Sequence, residues 1–205
     1  MCQKQSSLPQ SVSASKVAPD RLATRSIEAG VSLYRCHLIS HGAIHFGCRA
    51  RNRFDDPRQQ FGVCYLSLSP SGAFAETLMR AQTGQLLETS DLRNFGLSTI
   101  KLAQPLRLVQ CHGKGLKLNG VDSQISSRSD RPSTQALARN FHDHQDLADG
   151  LIYRARHDDD QFSIALFERA SDKLGNPDPA VPWIDTGPLL ETILDRYGIA
   201  LIDND

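Results

Sequence analysis

Phe61-Gly62-Val63-Cys64-Tyr65-Leu66-Ser67-Leu68 runs directly into Ser69-Pro70-Ser71-Gly72-Ala73-Phe74-Ala75-Glu76-Thr77. The first eight residues are apolar and β-branched or aromatic enough to read as a buried strand. Ser69-Pro70 then signals a helix start, with Ser69 as N-cap and Pro70 in the first turn. Ala73, Phe74, Leu78 and Met79 keep helical spacing, which predicts a helix from Pro70 to about Thr83.

Upstream, Val31–Leu38 reads as another strand. Between the two strands lies a long loop, residues 39–60, with Gly42, Gly47 and the turn-forming Asp55-Asp56-Pro57. A loop of that length in a compact domain usually carries function. Residues 19–29 suggest a short helix stopping at Gly30, and residues 1–18, rich in Ser and Gln, a disordered tail.

Downstream, Leu97–Leu102, Leu106–Gln110, Leu151–Arg156 and Phe162–Phe167 read as strands. Residues 112–131 read as a loop. A helix capped by Ser133 or Thr134 should run to about His144. A Pro-rich loop over 172–186 holds Trp183, then comes a helix from Pro188 to Tyr197 and a last strand, Ile199–Ile202. Scattered strands with few helices predict an α+β domain spanning residues 19–205, not a regular βαβ alternation.

The chain has 205 residues, 40% of them hydrophobic, enough for a sizeable core. Lys plus Arg and Asp plus Glu are 23 each, so there is no net charge. That balance argues against general nucleic-acid binding and against electrostatic docking on anionic membranes. No apolar run approaches a membrane span or a secretory signal. The five cysteines are widely spaced and never C-x-x-C, which favours a reducing cytoplasmic location over a disulfide framework or a zinc site.

Walker, G-x-G-x-x-G, H-E-x-x-H and G-x-S-x-G motifs are absent. His112-Gly113-Lys114-Gly115 is too short for a phosphate loop and reads as a turn. His37, His41 and His45 would share a face only on a helix, so no metal site is expected. Arg35, Arg49, Arg51 and Arg53 are more informative. Arg35 lies in an apolar strand, where a buried guanidinium needs a partner and can offer its fork to a carboxylate or phosphate. Glu76 falls near the edge of its helix's apolar face. Tyr65 sits in a strand where its hydroxyl needs a partner.

These residues resemble the RES-domain family. The resemblance rests on Leu33-Tyr34-Arg35, Arg53-Phe54-Asp55-Asp56-Pro57, Phe61–Leu66, Gly72-Ala73-Phe74-Ala75-Glu76-Thr77, and Asp149–His157 followed by Ala165-Leu166-Phe167. It runs in the family's order from about Val31 to Ala170. It implies a fold like that of ADP-ribosyltransferase toxins: a mixed β-sheet with flanking helices. It also implies an NAD-cleaving toxin of a type II toxin–antitoxin pair, acting by hydrolysis or phosphorolysis, with NAD as substrate, inorganic phosphate as one acceptor, and a helix-turn-helix antitoxin as partner. Some members are associated instead with protein ADP-ribosylation.

Residue by residue, the family Arg of the first strand falls on Arg35 and the second Arg on Arg53. The strand Tyr falls on Tyr65 and the Glu on Glu76. Under this resemblance Arg35 and Arg53 would clamp the pyrophosphate. Tyr65 would wall the nicotinamide or ribose, and Glu76 would hold the ribose hydroxyls and stabilise a developing cation. The family Ser falls at Ala155, the one clear departure, which bears on a polar contact or on activity itself. Tyr153 and His157 are the neighbouring groups able to stand in.

Overall fold

The computed structural model describes residues 20–79, 85–128 and 130–203. The expected tail lies outside these residues. The first helix, expected to run to about Thr83, ends earlier, at Thr77, with Leu78 as its C-cap. Eleven strands are present among the described residues: β1 (Thr24–Ile27), β2 (Ser32–Leu38), β3 (Val63–Ser67), β4 (Leu86–Glu88), β5 (Phe95–Leu102), β6 (Leu106–Cys111), β7 (Gly150–Arg154), β8 (Phe162–Phe167), β9 (Leu174–Pro177), β10 (Val181–Pro182) and β11 (Ala200–Ile202). Five α-helices accompany them: α1 (Pro70–Thr77), α2 (Thr89–Asn94), α3 (Lys114–Leu118), α4 (Arg131–His142) and α5 (Pro188–Tyr197). The expected α+β class is realised.

Nine strands form one mixed sheet in the order β1-β6-β7-β8-β3-β2-β5-β10, with β9 also pairing β5. Its β6–β7 pair is parallel, and its other described pairs are antiparallel. β4 and β11 make a separate parallel pair.

Strand alternation divides the core. Val63, Leu151, Ala165 and Phe167 face α4, meeting Phe141 and Ala138. Cys64, Leu66, Ile152 and Ile164 point the other way, under the 43–46 loop. A third cluster gathers α1, α2 and α5 around Trp183, which is fully buried with its ring edge on Phe74. The Trp183 Nε1–H finds Cys36 Sγ at 3.0 Å, so the indole's one polar group is not left unpaired.

The helix start at Ser69-Pro70 is as the sequence predicts: Ser69 Oγ accepts from Gly72 N. The helix predicted over 19–29 is instead β1, which pairs with β6 at four positions. A free edge on β6 outweighs the weak helical propensity of so short a segment. The loop read over 112–131 contains α3 and a 3₁₀ turn, Ser123–Ile125. The cap of α4 is Asp130, ahead of the two residues expected, and the helix ends at His142. The Pro-rich stretch holds β9, β10 and further 3₁₀ turns. Among the described residues no helix is long and apolar enough to cross a membrane.

His37, His112 and His142 all have pKa values held below the ordinary 6.5, in each case chiefly by burial. The unfolded chain therefore takes up protons that the folded chain refuses. Stability is complete above the unfolded value and is lost as pH falls through it toward the folded values. The urea midpoint should accordingly be lower at about pH 5.5 than at about pH 7.5. An equal or higher midpoint at the lower pH would contradict this reading.

Candidate functional site

β2 zips to β5 through seven register pairs, Ser32↔Lys101 to Leu38↔Phe95. Its contact with β3 on the other side is a single pair, Tyr34↔Ser67. Beyond that pair the two halves of the sheet part, and a cleft of about 270 Å³ opens between them. One lateral row of residues forms part of its lining. Tyr153 pairs with Ser163, Ser163 with Ser67, and Ser67 with Tyr34, and all four line the cleft.

Arg35, Arg53, Tyr65 and Glu76 all line this cleft. They come from β2, the 39–60 loop, β3 and α1. Ala155 does not line it. It is buried, with 2% exposure, and lies between the lining residues Tyr153 and Arg156.

Arg35 sits where the strands part. Its Nη1 donates to Ala43 O at 2.6 Å and lies 3.2 Å from Cys64 Sγ. The partner that an arginine in an apolar strand requires is thus a loop carbonyl, not a carboxylate. Arg53 Nη1 donates to Ile125 O at 2.8 Å and Arg128 O at 3.1 Å, joining its loop to the 123–128 turn at the cleft.

The loop carrying Arg53 is held by two buried carboxylates. Asp55 Oδ2 accepts from Arg51 N and Asn52 N, at 2.9 and 2.8 Å. Asp56 accepts from Arg58 N and Gln60 N, and meets Arg139 of α4 at 3.1 Å. From α4, Gln135 donates to Ala50 O and Asn52 O, and Thr134 to Arg53 O. Buried carboxylates satisfied by backbone N–H groups account for how so long a loop keeps one shape.

Tyr65 completes that anchor. Its hydroxyl donates to Asp55 Oδ1 and accepts from Phe54 N, each at 2.9 Å. Burial, and then the negative charge of Asp55, push the hydroxyl well above its usual range. Tyr65 is therefore a neutral, anchored ring, unsuited to general-base work. Cys36 also lines the cleft, but burial pushes its thiol to about 12, which removes it as a nucleophile.

Glu76 lies at the end of α1, and its Oε1 accepts from Arg156 N at 2.6 Å. This bond aims the carboxylate and ties α1 to the backbone after β7. Below, Asp158 accepts from the Tyr197 hydroxyl at 2.7 Å and from Arg196 at 2.9 Å, tying the β7–β8 turn to α5. Among the described residues no group of three or more His, Cys, Asp or Glu is gathered as a metal ion would require.

Sequence reasoning did not single out Tyr34, Asn52, Ser67, Arg156 or Ser163, all of which line the cleft. For Ser163 the signal was present: it is the lone hydroxyl within the otherwise apolar strand β8.

The RES domain family model matches residues 32–188. The chain belongs to the RES-domain family. No functionally curated protein matches it. Among solved structures, the crystal structure of the M. tuberculosis MbcT–MbcA toxin–antitoxin complex contains a chain of similar fold. Its TM-score is 0.59 at 16% identity, over 83% of this chain and 92% of that one. The RES match spans every strand from β2 to β10, and so all the elements that build the cleft.

Tyr65→Phe should cost about 2 kcal/mol of stability, because it strips a hydrogen bond from the Phe54 N–H and another from the Asp55 carboxylate. Urea denaturation reads this directly, and an unchanged midpoint would show that the anchor is dispensable.

Proposed function

We propose that this RES domain binds NAD in the cleft and breaks its nicotinamide–ribose bond. The observation that carries the reading is the convergence of one backbone-anchored carboxylate, Glu76, with two arginines and a tyrosine ring on a single cleft.

The chemistry suits these groups. The C1′–N bond breaks with its electron pair going to the pyridinium nitrogen, which neutralises the leaving nicotinamide. No general acid is needed. Positive charge develops on the ribose, and a carboxylate held at that point lowers the barrier. Glu76 takes this role and also holds the ribose hydroxyls. Water then bonds to C1′ through its oxygen and releases a proton to solvent, or an ionised oxygen of inorganic phosphate bonds there with no proton to lose. Arg35 and Arg53 hold the diphosphate, for which planar guanidinium forks are suited. Each spends Nη1 on loop carbonyls, which fixes the direction of the fork. The Tyr65 ring orients the scissile bond.

The likeness of fold to the MbcT toxin supports a toxin role and an antitoxin partner; a helix-turn-helix antitoxin and a cytoplasmic site of action belong to the same proposal. A second reading, an NAD-binding domain without turnover, is favoured by one observation: Ala155 stands where the family has Ser.

Product mass from NAD incubated with and without phosphate separates these readings. Nicotinamide with ADP-ribose marks hydrolysis, and a phosphorylated ADP-ribose marks phosphorolysis. Label passing into protein marks ADP-ribosyl transfer. Binding without consumption leaves the second reading, and failure to bind NAD overturns both.

Glu76→Gln should lower turnover by roughly 10²–10³ with affinity for NAD retained. The amide oxygen can still accept from Arg156 N, so the fold is kept. Turnover near that of the wild type would remove Glu76 from the chemistry. Arg35→Lys keeps a cation but loses the fork, and should weaken calorimetric NAD affinity by roughly tenfold. Unchanged affinity would place Arg35 outside the ligand contact.

A further inference from the structure

Ser163 carries a hydroxyl that no group among the described residues bonds. It lies on β8 with 2% exposure, it lines the cleft, and its Oγ has no hydrogen-bond partner among the described residues. Native proteins rarely leave a buried hydroxyl unpaired, and one on a residue that lines a cleft is a natural contact for a ligand. Its neighbour across β3, Ser67, differs: that hydroxyl donates to Phe162 O at 3.0 Å and accepts from Ser69 N.

The position of Ser163 relative to Ala155 gives this orphan its meaning. Ala155 N donates to Gln161 O at 2.9 Å, which extends the β7–β8 ladder beyond Arg154↔Phe162. Residues two apart share a face of a strand, so Ser163 is the diagonal neighbour of Ala155 on the same face of the sheet, and of the two only Ser163 lines the cleft. Diagonal neighbours lie roughly 7 Å apart. The hydroxyl that position 155 lacks is therefore present one step across the ladder.

Building on the NAD reading, we infer that Ser163 is a substrate-binding residue whose hydroxyl hydrogen-bonds a ribose hydroxyl of the bound dinucleotide. The chemistry favours ribose. A serine hydroxyl donates and accepts, as a ribose hydroxyl does, whereas phosphate oxygens only accept and have the two arginines. Ser163 and the anchored carboxylate also line the same cleft. Glu76 is bound to Arg156 N, and Arg156 directly follows Ala155.

The test compares wild type with Ser163→Ala in NAD turnover, in calorimetric binding of NAD and of ADP-ribose, and in melting temperature. The expected result is a roughly tenfold loss of kcat/KM and of affinity for both ligands. The melting temperature should be unchanged or raised, because no bond within the protein is lost. A lowered melting temperature with unaltered binding would make Ser163 merely structural and overturn the inference. Loss confined to NAD, with ADP-ribose binding intact, would overturn the ribose contact. Wild type that binds NAD as tightly as Ser163→Ala sinks this inference alone. Wild type that binds neither ligand sinks the proposed function and this inference with it.

Discussion

A single pair of residues, Tyr34↔Ser67, joins the two halves of the main sheet. On one side β2 is zipped to β5 over its whole length, and on the other β3 is zipped to β8 at five positions. Had β2 and β3 paired as fully, the sheet would be continuous and the cleft would be gone. Because they pair once, strand twist carries the halves apart and leaves backbone and side chains facing a gap. Arg35, the next residue after Tyr34, stands in that gap. The lateral row Tyr153, Ser163, Ser67, Tyr34 crosses the same seam.

An opened sheet needs something to hold its edges. Here the 39–60 loop does so from both sides. Its first part gives the Ala43 carbonyl to Arg35 and covers one face of the core. Its second part is folded around Asp55 and Asp56, and docked on α4 by Thr134, Gln135 and Arg139. Tyr65 links this loop back to β3. The same polar groups that stabilise the loop thereby set where Arg53 stands. Fold and candidate site depend on one network.

Much of this was legible in the chain. The strand–cap–helix run at 63–77 was plain because apolar periodicity and the Ser69-Pro70 start agree. The helix over Pro188–Tyr197, closed by Gly198 in the left-handed region, was equally local. Arg35, Arg53, Tyr65 and Glu76 drew attention as polar groups in apolar or loop settings, and the fold brings all four to one cleft. Residues 24–27 were misread because a four-residue edge strand carries almost no periodicity of its own; its state is decided by the open edge of β6.

The sequence by itself determined the elements whose signals are local: apolar period, caps, turn carboxylates, and the residue types able to handle a dinucleotide. Only the tertiary structure decided the seam, the partners of Arg35 and Arg53, the anchoring of Glu76 on Arg156 N, and the meeting of Ser163 with the cleft. The reason is physical. Strand pairing and its absence are contests between distant segments, and the orphaned state of one buried hydroxyl depends on every neighbour that fails to reach it. No window of sequence contains those terms.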